Sequence, residues 1–303
     1  MKTLEDFLRP TQEALFKRLQ KMFEGNTIFQ KNRFLLVRGE SPVLLIAHLD
    51  TVHREPVKTI CQSEKGNILM SPQGIGGDDR CGVYGIVKVY EATEKKPWLL
   101  FTCDEETGGY GADAFCSAYL KKKLPKGLEN LKMLIELDRK GKNDAVYYDC
   151  DNPAFEEYIK SKGFVTECGT FSDISTLAPV LGVAAVNLSC GYYHAHTIHE
   201  YINRKQLKVT VKKVAEMVSD AAKEDFPKYE YIEAEWDDRY GYEWNSALGA
   251  WETGRPPRNL PESCKGIYEE LMDIYPPSDL EAYRRAYGDG ILRELYIHAF
   301  GAG

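Results

Sequence analysis

The 303-residue chain reads as an α/β protein, a mostly parallel central sheet with helices on both faces, followed by an aromatic-rich, helical C-terminal extension. Three observations lead there. Up to about residue 225 short apolar runs alternate with longer helical patterns, the pattern of strands joined by crossover helices. Histidines and carboxylates collect at the ends of those runs, where an open α/β sheet binds its ligands. After Asp225 the composition changes abruptly.

The opening segment, MKTLEDFLRPTQEALFKRLQKMF, mixes charges among its apolar positions and predicts an amphipathic first helix rather than a signal peptide. Strands are expected at 34–37, 43–47, 98–102, 132–137, 145–148 and 183–188, and helices at 81–94, 111–122, 153–162 and 204–223. The last helix carries Leu207, Val211, Val214, Val218 and Ala221, a stripe at helical spacing that covers one face of a sheet. Two further helices are expected at 261–273, begun by Pro-Glu, and at 278–298, with Ser278 as N-cap. These readings divide the chain into a catalytic domain, 1–225, and an extension, 226–303, packed on that domain or on a partner subunit.

Hydrophobic residues at 43% and charged residues at 28% are ordinary for a globular protein, which excludes disordered and fibrous classes. A net charge of −7 argues against a nucleic-acid groove, and no apolar run approaches the roughly 20 residues of a membrane helix. The charge is unevenly placed: residues 226–303 hold 15 acidic against 8 basic side chains, while the first 225 balance at 31 of each. The same last quarter holds Trp236, Trp244 and Trp251, three of four tryptophans. Large aromatics stabilise most when buried, so this segment is expected to pack. The eight cysteines form no CxxC pair and no secreted framework, which points to a reducing, cytoplasmic setting.

His48 and Asp50 end LLIAHLD; Asp78-Asp79 ends GIGGDD; Glu105-Glu106 ends FTCDEE; Asp138 ends LIELD; His194, His196 and His199 follow the strand at 183–188. Two residues apart on an extended chain, His48 and Asp50 face the same way, a spacing that supplies a metal ligand and the acid that orients it. At a strand-to-loop junction one of two consecutive glutamates can bind metal while its neighbour acts as general base. Taken singly, these are also what a polar strand end or a solvated acidic turn looks like. Acids crowded together repel and take up protons unless cations compensate them. Mixed imidazole and carboxylate donors suit zinc, with manganese or cobalt as substitutes. The glycines of 74–77 could form a phosphate loop, but two aspartates and no lysine follow them.

Together LIAHLDTVH, GIGGDDRCGV, FTCDEETGG, IELDRKG and GYYHAHTIHEY resemble the di-zinc exopeptidase superfamily, across about residues 43–202. That superfamily includes peptidase T-like, glutamate carboxypeptidase-like and vibrio-type aminopeptidase enzymes, with a phosphorylase/hydrolase-like fold. The resemblance implies two metal ions: His48 and Asp138 on one, Asp78 bridging, Glu106 and His196 on the other. It makes Asp50 the acid behind His48 and Glu105 the general base, and it implies a cis peptide at Asp78-Asp79. His196 is selected over its neighbours because it stands four residues before a glutamate; His194 and His199 then support the ligands from behind or touch substrate. Arg139 could bind a substrate carboxylate, and Ser172 and Asp173 could line the pocket or cap a helix. Only 57 residues separate Asp138 from His196, too few for the lid domain of the carboxypeptidase-like relatives. A lidless core tilts the implied activity, hydrolysis of peptide or amide bonds, toward an aminopeptidase. The alternatives are a carboxypeptidase or N-acyl-amino-acid deacylase, a single-zinc glutaminyl cyclase-like enzyme, and a binding protein with a vestigial metal site. The expected partner is a peptide or small amide, with a homo-oligomer left open and neither nucleic acid nor membrane.

Overall fold

In the computed structural model, residues 2–53, 55–167, 169, 171–234, 243–245, 250–252, 267–268, 270–272, 275, 279–281, 283–284 and 288–300 are described. The strands in chain order are Thr27–Gln30 (β1), Phe34–Val37 (β2), Val43–His48 (β3), Cys61–Gln62 (β4), Ile68–Met70 (β5), Trp98–Thr102 (β6), Met133–Arg139 (β7), Asp144–Val146 (β8), Val165–Thr166 (β9), Ala185–Ser189 (β10), Tyr192–Tyr193 (β11), Tyr201–Asn203 (β12), Glu243–Asn245 (β13) and Ala250–Glu252 (β14). The helices are Glu5–Leu8 (α1), Gln12–Met22 (α2), Gly77–Ala92 (α3), Tyr110–Leu120 (α4), Pro153–Ser161 (α5), Asp173–Leu181 (α6), Arg204–Ala221 (α7) and Ile291–Phe300 (α8).

Eight strands form one sheet in the order β1-β2-β6-β3-β7-β10-β8-β9. Its centre, β6, β3, β7 and β10, is parallel, and β2 and β1 add antiparallel strands at one side. Every residue of β2, β3, β6 and β10 is buried, as near-continuous apolar runs require when helices cover a sheet. The helices α3 and α7 pack on each other with α3 against β3 and β7, and α4 packs on α6. In α7 the buried stripe is Leu207, Thr210, Val214, Met217, Val218 and Ala221. Thr210 is affordable inside because its hydroxyl donates to Ser189 O at 2.7 Å. A second sheet, β11-β12-β5-β4, is antiparallel and made of strands of two or three residues.

The single opening helix is instead two, α1 and α2. Pro10 interrupts the run, and Thr11 caps α2 by accepting Ala14 N–H at 3.3 Å. The expected helix at 278–298 is likewise broken: residues 288–290 form a turn, with Gly288 at φ 73°, before α8 begins. Most of the expected helix at 261–273 lies outside the described residues, as does Trp236.

By internal contacts the chain divides into two units. The first comprises Met1–Ala145, Asn152–Val165 and Ser172–Tyr231; the second comprises Val146–Asp151, Thr166–Phe171 and Ile232–Gly303. Within the second, Tyr268, Leu271, Leu280 and Leu292 form a buried cluster. Buried Arg284 is held by Glu281 at 3.0 Å and Asp289 at 2.6 Å. Trp244 lies opposite Trp251 in the β13–β14 ladder. Among the described residues no helix is long and apolar enough to cross a membrane.

Candidate metal centre

Strands β6, β3 and β7 run in parallel and end at the same edge, so residues distant in sequence meet there. β3 delivers His48 and then Asp50; the turn after β6 delivers Glu105 and Glu106; β7 delivers Asp138; the start of α3 delivers Asp78; the loop between β11 and β12 delivers His196. All belong to the first unit.

Asp50 organises the first two of these segments. One of its oxygens lies 3.2 Å from His48 Nδ1 and accepts the Glu105 N–H at 3.2 Å, while the other accepts the Glu106 N–H at 3.0 Å. An Nδ1–H given to Asp50 leaves the Nε2 lone pair facing the acids. Nε2 stands 3.2 Å from Asp78 Oδ1, 3.6 Å from Asp138 Oδ1 and 3.9 Å from Glu105 Oε2. From the other side His196 Nε2 reaches Asp78 Oδ2 at 3.2 Å and Glu106 Oε2 at 3.0 Å. Asp78 therefore lies between the two imidazoles, one carboxylate oxygen toward each. The Asp78-Asp79 peptide bond is cis. Asp79 itself is fully buried and accepts the His48 and Gly82 N–H groups at 3.3 and 2.9 Å.

This crowd of acids does not ionise evenly. Burial, then the charges of Asp138, Asp173 and Glu106, push Glu105 up to about 9. Burial and the charge of Asp78 push Asp138 up to about 8. Asp78 goes the other way: burial raises it, but hydrogen bonds from His196 and His48 outweigh burial and hold it below the ordinary carboxylate range. Hydrogen bonds to Asp78 and Glu106 raise His196 to about 11. The cluster thus draws positive charge toward itself, which a bound cation would supply.

Three groups bring ligand atoms within 4.8 Å of one another: His48, Asp78 and Asp138; His48, Glu105 and Glu106; and Asp78, Glu106 and His196. Two imidazoles and several carboxylates converging this closely are a donor set that fits divalent zinc. The remaining candidates are not among those three groups. Arg139 is mostly buried, its Nε 3.7 Å from Asp144 Oδ2. Ser172 and Asp173 are fully buried, Ser172 donating to Glu136 and Asp173 accepting from Thr102. His194 and His199 are exposed, the former tilted on the Tyr201 ring at 5.7 Å.

The sequence reading passed over two residues that hold Asp138. Asn187 accepts its N–H at 2.8 Å and donates to its carbonyl at 2.9 Å, and the buried Tyr192 hydroxyl donates to its carboxylate at 3.2 Å. A polar Asn187 inside an otherwise apolar run was the signal for the first; Tyr192 in an aromatic run carried none.

No family model matches the chain, and no curated protein matches it in sequence. Solved structures do. An aminopeptidase PepT from Bacillus cereus aligns over 73% of this chain and 98% of its own, with TM-score 0.57 and 15% identity. A TET aminopeptidase from a marine-sediment archaeon, Thaumarchaeota archaeon, aligns over 72% and 95%, with TM-score 0.54 and 12% identity. An aminopeptidase from the archaeon Desulfurococcus kamchatkensis aligns over 71% and 93%, with TM-score 0.52 and 13% identity. A mostly parallel sheet wrapped by helices and matched at that coverage gives this chain the α/β fold of the zinc exopeptidases its sequence resembles.

Proposed function

We propose that this chain is a metal-dependent exopeptidase that removes residues from the amino end of peptides. The observation that supports this best is Asp78 set between His48 and His196, with Asp138 and Glu106 beside them. His48, Asp78 and Asp138 would hold one ion, and Asp78, Glu106 and His196 a second. Divalent metals in such a site lower the pKa of water toward neutrality and polarise a carbonyl.

The protein's own contribution is positional and acid–base. Asp50 fixes the His48 ring and the backbone of the Glu105-Glu106 turn together. Glu105, buried in the cluster and ionised once bound cations supply the positive charge it lacks, would take the proton of the attacking water on its carboxylate and return it to the departing amine. The 57 residues between Asp138 and His196 leave no room for a lid domain that would read a substrate carboxylate, which favours an aminopeptidase over a carboxypeptidase. The three fold neighbours named above are aminopeptidases, in line with that preference. A reducing compartment suits the free thiols of Cys61, Cys81, Cys103, Cys116 and Cys190. A homo-oligomer remains part of this reading, to be measured by sedimentation.

The deciding experiment strips the protein with a chelator and assays free and N-acylated dipeptides before and after reloading. Hydrolysis of free dipeptides is expected to vanish and to return with zinc, manganese or cobalt. Full activity in metal-free protein would end the metallohydrolase reading. A preference for acylated substrates would move it to the deacylase class.

A further inference from the structure

Loops rich in glycine that present consecutive N–H groups are common cradles for phosphate. Residues 74–77 here have that composition, and the structure gives them an internal anion instead. Glu200 is fully buried. Its Oε2 accepts the Gly76 N–H at 2.9 Å and its Oε1 accepts the Asp78 N–H at 2.9 Å. A third partner, His53 Nε2, stands 3.0 Å from Oε2. Carboxylates are costly to bury unless such donors satisfy them, and the donors here are the backbone that presents Asp78.

The glycines are needed for that approach. Gly74 has φ +80°, and a Cβ there would collide with the His53 ring. At Gly77 a Cβ would come within 2.7 Å of Tyr192 Cβ and 3.1 Å of Glu200 Oε1. The loop therefore lies pressed against His53 and Glu200. Glu200 also stands four residues after His196, and its own N–H closes the intervening turn on Thr197 O at 3.2 Å. One carboxylate thus fastens the loop bearing Asp78 to the segment bearing His196, whose side chains meet at 3.2 Å.

We propose that Glu200, steadied by His53, is a positioning residue that sets Asp78 relative to His196 and thereby builds the metal site those two share. This rests on the metallopeptidase reading above. Neither residue is assigned contact with substrate or with an ion. Glu200→Gln leaves one acceptor oxygen and turns an NH2 group against the remaining N–H donors.

The test titrates zinc into chelator-stripped, full-length protein by calorimetry, with the thermal melt of each stripped protein as the control for folding. Glu200→Gln is expected to weaken the site of Asp78, Glu106 and His196 by about 10–100-fold and the site of His48, Asp78 and Asp138, which shares only Asp78, by less, leaving the stripped protein's melt near wild type. His53→Leu should weaken the same site, and His53→Gln, which keeps a donor, should restore it. Wild-type zinc affinity in both Glu200→Gln and His53→Leu overturns the proposal, as does equal weakening of both sites with a lowered melt. Should Glu200→Gln fail to fold, the His53 pair decides alone. Wild-type protein that binds no zinc overturns the metallopeptidase reading itself, and the proposal with it.

Discussion

Adjacent glutamates in this cluster have different surroundings, and the roles proposed for them differ accordingly. Glu105 faces His48 at 3.9 Å, whereas Glu106 meets His196 at 3.0 Å. Glu105→Gln removes a base while keeping shape, so turnover should fall by about 10²–10⁴-fold with zinc content unchanged. Steady-state kinetics beside metal analysis checks this, and loss of zinc instead would interchange the two glutamates. The three histidines of the β11–β12 loop divide as sharply. His196 contacts Asp78 and Glu106, while His194 and His199 have no contact with those acids among the described hydrogen bonds and ion pairs. His196→Ala should cost one bound zinc per chain; His194→Ala and His199→Ala should leave both. Metal analysis of the three variants is the check, and zinc loss from either of the latter pair would reassign the ligand.

At the scale of elements, the sheet supplies the platform and side chains fasten helices around it. The end of α5 is tied to α7 through Asp220, which accepts from Lys162 at 2.6 Å and from the Tyr158 hydroxyl at 3.3 Å, with Lys223 at 2.7 Å. Partial burial pushes the Asp220 carboxyl up, and Lys162 and Lys223 pull it down by more, so it sits below its ordinary value. A carboxylate depressed on folding contributes above its unfolded pKa of about 3.9, and that contribution is lost as pH falls through the folded value. Asp220→Asn should therefore lower stability by about 0.5 kcal/mol at neutral pH, with the difference closing below about pH 4. Thermal melts of both proteins across pH 3–8 would show it, and a pH-independent difference would refute it. The strands were the most legible elements: the runs at 34–37 and 98–102 are β2 and β6 end to end. Helix α6 escaped because Pro179 lies inside it, and a proline reads as a stop. Strands of two or three residues, such as β4 and β11, are too short to show a period.

For the whole molecule, the second unit draws on three stretches of chain. Ala234 N–H donates to Asp149 O at 2.9 Å, Asp151 N–H to Ile232 O at 2.8 Å, and Gly290 N–H to Gly169 O at 2.6 Å. Arg293 pairs with Glu167 at 2.7 Å. Cutting the chain after Tyr231 would leave 146–151 and 166–171 without these partners. Such a fragment is expected to melt lower and to lose solubility. Comparing its melt and sedimentation with full-length protein checks this, and an equally stable, soluble fragment would show those segments need no partner.

The amino-acid sequence by itself determined the strand centres, the α/β class and the order in which histidines and acids arrive at strand ends. Apolar periodicity is local, and parallel strands place their carboxyl ends together whatever the intervening chain does. Tertiary structure alone decided which atoms meet. That Asp78 offers one oxygen to His48 and the other to His196 depends on segments some 120 residues apart in sequence being fastened by Glu200, a contact without any local pattern. The same holds for Asn187 and Tyr192 on Asp138, and for 146–151 joining 232–303 in one unit. Hydrogen bonds of this kind form across the sequence, between side chains whose partners exist only once the sheet has closed around them.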